Sequence, residues 1–104
     1  MTQHVGIITL GSMPYTVELV PGLTMDDESI AGLVRTRQLS IQIEQTDPLL
    51  SMFSTLWHEI LHALAFQAGH EVPEGLTNMF AYGVAGALLE NPQISDPAYL
   101  LVAA

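Results

Sequence analysis

The sequence predicts an α+β fold: a small, mostly antiparallel sheet of three or four strands, drawn from the first 45 residues, packed on an antiparallel pair of helices. Three observations point there. Short runs rich in β-branched residues, separated by turn residues, fill the first half of the chain. From Thr46 onward the apolar positions recur at helical spacing. Gly69 and Pro73 then cut that helical half in two.

Taken in order, Val5-Gly6-Ile7-Ile8-Thr9-Leu10 and Tyr15-Thr16-Val17-Glu18-Leu19-Val20 read as two strands joined by the turn residues Gly11-Ser12-Met13-Pro14. His4, ahead of the first strand, reads as a solvated surface histidine. Pro21 to Ser29, with its acidic run Asp26-Asp27-Glu28, reads as a loop or a single helical turn; a calcium site needs more oxygen ligands at the right spacing. Ala31 to Gln45 reads as a hairpin turning at Thr36-Arg37-Gln38. Its second arm alternates Leu39, Ile41 and Ile43 with Ser40, Gln42 and Glu44, which predicts one buried and one wet face. Arg35 and Arg37 are the only cations and read as members of surface ion pairs, with capture of a substrate carboxylate as the alternative.

Thr46-Asp47-Pro48 opens the first helix, with Thr46 or Asp47 as N-cap and Pro48 at the first helical position. The helix is expected to run to about Ala68, where Gly69 supplies a left-handed stop. After a loop, Pro73 begins a second helix that ends before Asn91-Pro92. Ala81, Gly83, Ala85, Gly86 and Ala87 make this helix rich in small side chains, which lets two helices approach closely although each Gly costs about 1 kcal/mol relative to Ala. The apolar tail from Ser95 to Ala104 reads as a last short helix capped by Ser95 or Asp96.

At 104 residues the chain reads as a single domain, residues 1–104, able to bury about two-thirds of its surface around one core. It contains no cysteine, which excludes disulfide scaffolds, thiol catalysis and cysteine zinc sites. Two Arg and no Lys against eleven acidic residues give a net charge of −9, which disfavours nucleic acid and anionic membranes as partners. No apolar run reaches a membrane span, and the N-terminus has neither a basic n-region nor a cleavable apolar stretch, so a cytoplasmic location is expected. Composition leaves the oligomeric state open.

The run Leu56-Trp57-His58-Glu59-Ile60-Leu61-His62-Ala63-Leu64 contains the pattern H-E-x-x-H. Residues four apart on a helix lie on one face with Cβ atoms about 6 Å apart, so His58 and His62 are placed to converge on one metal ion. Glu59 lies one position round, within reach of a metal-activated water without binding the metal. Five letters alone are a moderate signal, but the context strengthens it. Both histidines share a face with Ser51, Thr55 and Ala65, while Phe53, Trp57, Ile60 and Leu64 form an opposite apolar stripe. Two imidazoles leave a zinc site incomplete, and His70, Glu71 and Glu74 compete for the third place. Glu74 is favoured by its position in the first turn of the second helix, where the helix dipole suits a carboxylate. Asn78, four residues later, is placed to accept a hydrogen bond from a ligand imidazole.

The H-E-x-x-H run, the spacing from His62 to Glu74, Asn78, and Leu89-Glu90-Asn91-Pro92 together resemble small phage-encoded zinc metallopeptidase-like proteins, themselves similar to ImmA/IrrE-type minimal gluzincins. The resemblance covers roughly residues 15–92. It implies one zinc per chain, His58, His62 and Glu74 as ligands, Glu59 as general base, a peptide or protein as substrate and a host cytoplasm as location. The family tends to have Asp where this chain has Asn78, which leaves the neighbouring imidazole less electron-rich. The expected reaction is peptide hydrolysis by zinc-bound water that Glu59 activates. Tyr82 is the first candidate for a further donor to the oxyanion, ahead of Arg35 and His70, although packing of a half-buried aromatic accounts for it more simply. Leu39 to Glu44 is expected to serve as an edge strand for the substrate. The alternatives are a non-catalytic phage-associated binding or structural module with a structural zinc, and a metal-free domain with an incidental histidine pair.

Overall fold

The computed structural model describes residues 1–101; the end of the expected tail helix, residues 102–104, lies outside the described residues. Strands β1 (Gln3–Leu10), β2 (Met13–Val20), β3 (Thr24–Met25), β4 (Glu28–Ser29), β5 (Gly32–Arg35) and β6 (Ser40–Glu44) precede helices α1 (Leu49–Gln67) and α2 (Glu74–Glu90). Two 3₁₀ turns, Pro92–Ser95 and Pro97–Leu101, follow, and the Asp96 carboxylate caps the second by accepting the Ala98 N–H. The architecture is α+β. The main sheet has the order β1-β2-β6-β5, antiparallel at β1/β2 and β5/β6 and parallel at β2/β6.

The sheet meets the helix pair through α1. Tyr15 and Val17 of β2, Ile41 and Ile43 of β6, and Ile60 and Ala63 of α1 form the buried core, with Met52, Leu56 and Trp57 of α1 packed at its border. The expected apolar stripe is thus rotated slightly: Ile60 and Trp57 face the sheet, whereas Leu64 stays 40% exposed. Helix α2 lies outside α1 and buries Thr77, Ala81 and Ala85 against it. Only the two alanines of its small-residue set serve close approach. Among the described residues, a Cβ added at Gly83 or Gly86 meets nothing within 4 Å, so these glycines line an open face.

Several boundaries differ from expectation for local reasons. The β1/β2 turn is only Gly11-Ser12, both with positive φ, so Met13 and Pro14 already belong to β2 and His4 to β1. The segment expected as a loop or helical turn holds the β3/β4 hairpin, whose turn residues Asp26 and Asp27 adopt φ of 52° and 65°. Two consecutive left-handed residues are what a two-residue hairpin turn requires, and Asp tolerates them. Leu39, also at positive φ, belongs to the turn before β6.

Strand β6 has no wet face: Ser40 and Glu44 are each only 8% exposed. The reason is its central place between β2 and β5. The Glu44 carboxylate accepts the backbone N–H groups of Gly22 at 3.1 Å, Leu23 at 2.6 Å and Thr46 at 3.1 Å, and the Thr46 hydroxyl at 2.9 Å. One buried side chain therefore ties the end of β2 to the entrance of α1. These donors, led by the Thr46 and Leu23 amides, hold its carboxyl below the usual carboxylate range. Thr46 is consequently not the helix cap. Pro48 occupies the cap position, so the helix starts one residue later than expected, at Leu49, and neither Thr46 nor Asp47 supplies a side-chain cap. At the other end Gly69 adopts φ 73°, the expected left-handed stop.

Candidate metal centre

Residues 68–73 return the chain beside α1, so the start of α2 lies opposite the second half of α1. That antiparallel arrangement brings Glu74 to the exposed side of the histidine pair. The Nε2 atoms of His58 and His62 are 3.0 Å apart, and the Glu74 carboxylate oxygens lie 3.1 to 3.4 Å from His58 Nε2 and 3.2 Å from His62 Nε2. Bonds of about 2.0–2.1 Å at tetrahedral angles place neighbouring ligand atoms roughly 3.3 Å apart. The triad therefore forms a group able to hold a metal ion, with two nitrogens and a carboxylate oxygen directed at one point. The imidazole side chains are 17% and 27% exposed and that of Glu74 is 67% exposed, so the group opens to solvent on the carboxylate side.

Glu59 stands beside the triad without joining it. It is 6% exposed, and its Oε1 stands 3.9 Å from His58 Nε2. Burial pushes its carboxyl up, against the pull of His58 and His62; the Val34 N–H also lowers it slightly. A buried carboxyl with a raised proton affinity, beside but outside a ligand set, is suited to holding and returning a proton. Its neighbour Gly32 is required by space: a Cβ there would run into Thr55 Cγ2 and come within 3.3 Å of Glu59 Cγ.

A cleft of about 470 Å³ runs from the triad along the first half of α1. Ala31 and Gly32 form one wall, Asn78, Ala81 and Tyr82 of α2 the other, and Asp47, Ser51 and Thr55 the floor, with His58, Glu59 and Glu74 at the metal end. A second hollow of about 360 Å³ lies on the far side of His62, lined by Ala65, Phe66, His70, Glu71 and Val72. Glu71 and His70 thus flank the centre without joining it, which leaves Glu74 as the third member among the described residues.

Other expected roles change. Asn78 lines the cleft, but among the described residues no hydrogen bond joins it to either imidazole, so it does not orient a ring. Tyr82 is 73% exposed at the cleft wall, which removes the packing explanation for it. Arg35 and Arg37 are exposed, form no ion pair with a described residue, and Arg35 lies outside both hollows. The expected edge strand, Leu39 to Glu44, is interior, with its backbone bonded on both sides. The edge strand beside the centre is β5. Because Ala31 C=O accepts the Glu44 N–H, the alternation of an antiparallel ladder turns the backbone groups of Gly32 and Val34 outward, the Val34 N–H toward Glu59. Comparisons with protein-family models, curated proteins and solved structures gave no match for this chain.

Proposed function

We propose that the protein is a zinc-dependent metallopeptidase of minimal gluzincin type, with His58, His62 and Glu74 as metal ligands and Glu59 as general base. The observation that carries this reading is the convergence of three donor atoms at tetrahedral spacing beside a buried carboxyl whose proton affinity burial raises. Two imidazoles, one carboxylate and an open solvent side suit a catalytic zinc better than a closed structural one. When bound, zinc supplies Lewis acidity, acidifying water and polarising the scissile carbonyl.

The chain's own residues supply the rest. Glu59 removes a proton from the attacking water as the new C–O bond forms, then returns it to the amine nitrogen as the C–N bond breaks. The outward backbone of β5 offers an extended peptide a strand partner at the cleft. The exposed Tyr82 hydroxyl is available at the opposite wall to donate to the carbonyl oxygen.

The test is cleavage of unstructured peptides and proteins by zinc-loaded protein, compared with the Glu59→Gln variant loaded equally. Cleavage by the parent and not by the variant supports the reading; equal absence of cleavage with full zinc occupancy favours a structural metal in a binding module. The open Glu74 side argues for the first.

A further inference from the structure

We propose that the cleft selects a substrate with a positively charged side chain, lysine or arginine, held by the Asp47 carboxylate; this rests on the metallopeptidase reading of the site. Asp47 immediately precedes Pro48, the cap residue of α1. Its carboxylate makes no cap, no hydrogen bond and no ion pair with any described residue, and half-buried Asp47 lines the cleft. The same cavity is lined by Glu59, 6% exposed, at the end beside the triad. No lysine or arginine lines the cavity. The two cations of the chain lie at the far end of β5 and in the turn after it.

Charge differs along the cleft. At the metal end a dication would offset the carboxylates of Glu74 and Glu59, whereas Asp47 at the distal end has no such partner. Ser51, Ser54 and Thr55 between them offer hydroxyls, and Ala31, Ala81 and Tyr82 add apolar surface. A long side chain with an apolar stem and a cationic head fits that gradient, and an acidic one opposes it. Nine positions of α1 separate Leu49 from His58, about 14 Å of helix rise, and Asp47 lies two residues before Leu49. An extended peptide covers that with about five residues, which places the selected side chain several positions from the scissile bond.

The experiment uses peptides differing at a single position, with Arg, Gln or Glu scanned through the residues on either side of the bond. Cleavage is measured with zinc-loaded parent protein, and binding by fluorescence anisotropy with zinc-loaded Glu59→Gln. At one position Arg is expected to exceed Gln about fivefold or more in both readouts, with Glu weakest. Asp47→Asn is expected to flatten that order and Asp47→Glu to keep it. Asp26→Asn, the same charge change outside the cleft, leaves it intact and so separates a local contact from the general field of an acidic protein. Equal binding of the three peptides, absence of binding, or a preference that survives Asp47→Asn overturns the inference. Arg-selective binding without cleavage by the parent leaves the inference standing and removes the peptidase reading.

Discussion

His58 Nε2 and His62 Nε2 face each other at 3.0 Å, with the Glu74 carboxylate within 3.4 Å of both. Two ring nitrogens at that distance share at most one proton, whereas a dication between three such donors satisfies all of them. The expected outcome is one zinc per chain by elemental analysis of the purified protein. Glu74→Ala should abolish stoichiometric zinc and Glu71→Ala should retain it; the opposite pattern would move the third ligand to the loop. Free zinc at a thousandfold excess over its dissociation constant adds about 4 kcal/mol to stability. Chelation should therefore lower the melting temperature of the parent and leave that of Glu74→Ala unchanged.

Glu59→Gln separates chemistry from binding, because Glu59 stands beside the ligands without being one. The variant should bind zinc like the parent while hydrolysis falls by about 10²–10⁴, the usual worth of a general base. In the metal-free protein the same change should raise the melting temperature at neutral pH. Burial disfavours the ionised carboxyl, and an amide of the same shape carries no charge to desolvate. A variant that loses zinc, or a metal-free variant that melts lower, would show that Glu59 is instead a structural partner of the histidines.

Glu44 gives a pH dependence of opposite origin. Its carboxyl is held low by the Thr46 and Leu23 amides, so the native state prefers the ionised form. Its contribution is fully present above the ordinary carboxylate range and is lost as pH falls through the depressed native value. Glu44→Gln keeps the shape but removes the charge, and should destabilise the protein at pH 7 far more than at pH 3. Denaturant melts of parent and variant at both pH values measure this; an equal loss at both would mean that the four hydrogen bonds matter and the charge does not.

The contrast between these two glutamates shows how far the sequence could be read. The grouping of His58, His62 and Glu74 is legible because helical periodicity fixes which positions share a face, and a second helix that starts at Glu74, just after a proline and a short loop, returns over the preceding one. The Glu44 clasp is not, because alternation along Leu39 to Glu44 reports local pattern, while burial on both faces comes from the parallel neighbour β2, a pairing between distant segments. The same long-range pairing moved the edge from β6 to β5. Asp47 was misread as a cap because the sequence shows a capping residue in a capping position, and only the structure shows that it lines the cleft. The β3/β4 hairpin was hidden by its two-residue strands; consecutive Asp residues were the available signal for its left-handed turn.

Gly32 tests whether strand β5 and helix α1 must touch for the site to work. The position is 3.3 Å from both the Gln42 carbonyl oxygen and the Glu59 Cγ when a Cβ is placed on it, and Thr55 Cγ2 is closer still. Backbone on one side and a helix on the other leave no room to yield, so Gly32→Ala should cost about 1–3 kcal/mol by overpacking. It should also displace Glu59 and reduce hydrolysis more than zinc affinity. Thr55→Ser removes the methyl group in conflict and should restore part of both in the double variant. Failure of Thr55→Ser to rescue would assign the loss to the Gln42 backbone contact.

Helix α2 carries Gly83 and Gly86 on its open face, where an added methyl group meets no described residue within 4 Å. Neither glycine has a positive φ, so alanine is accommodated in the existing backbone. Each Gly→Ala change should then stabilise the helix by about 0.8–1 kcal/mol, through lower unfolded-state entropy and better helix propensity. The double variant should be nearly additive, since each methyl group points to solvent and neither touches the triad. Zinc affinity, which the proposed site draws from Glu74 at the start of the helix, should stay at the parent value. A double variant that is less stable than the parent would mean that another surface packs closely on those glycines in solution, and sedimentation at several concentrations would then reveal the assembly.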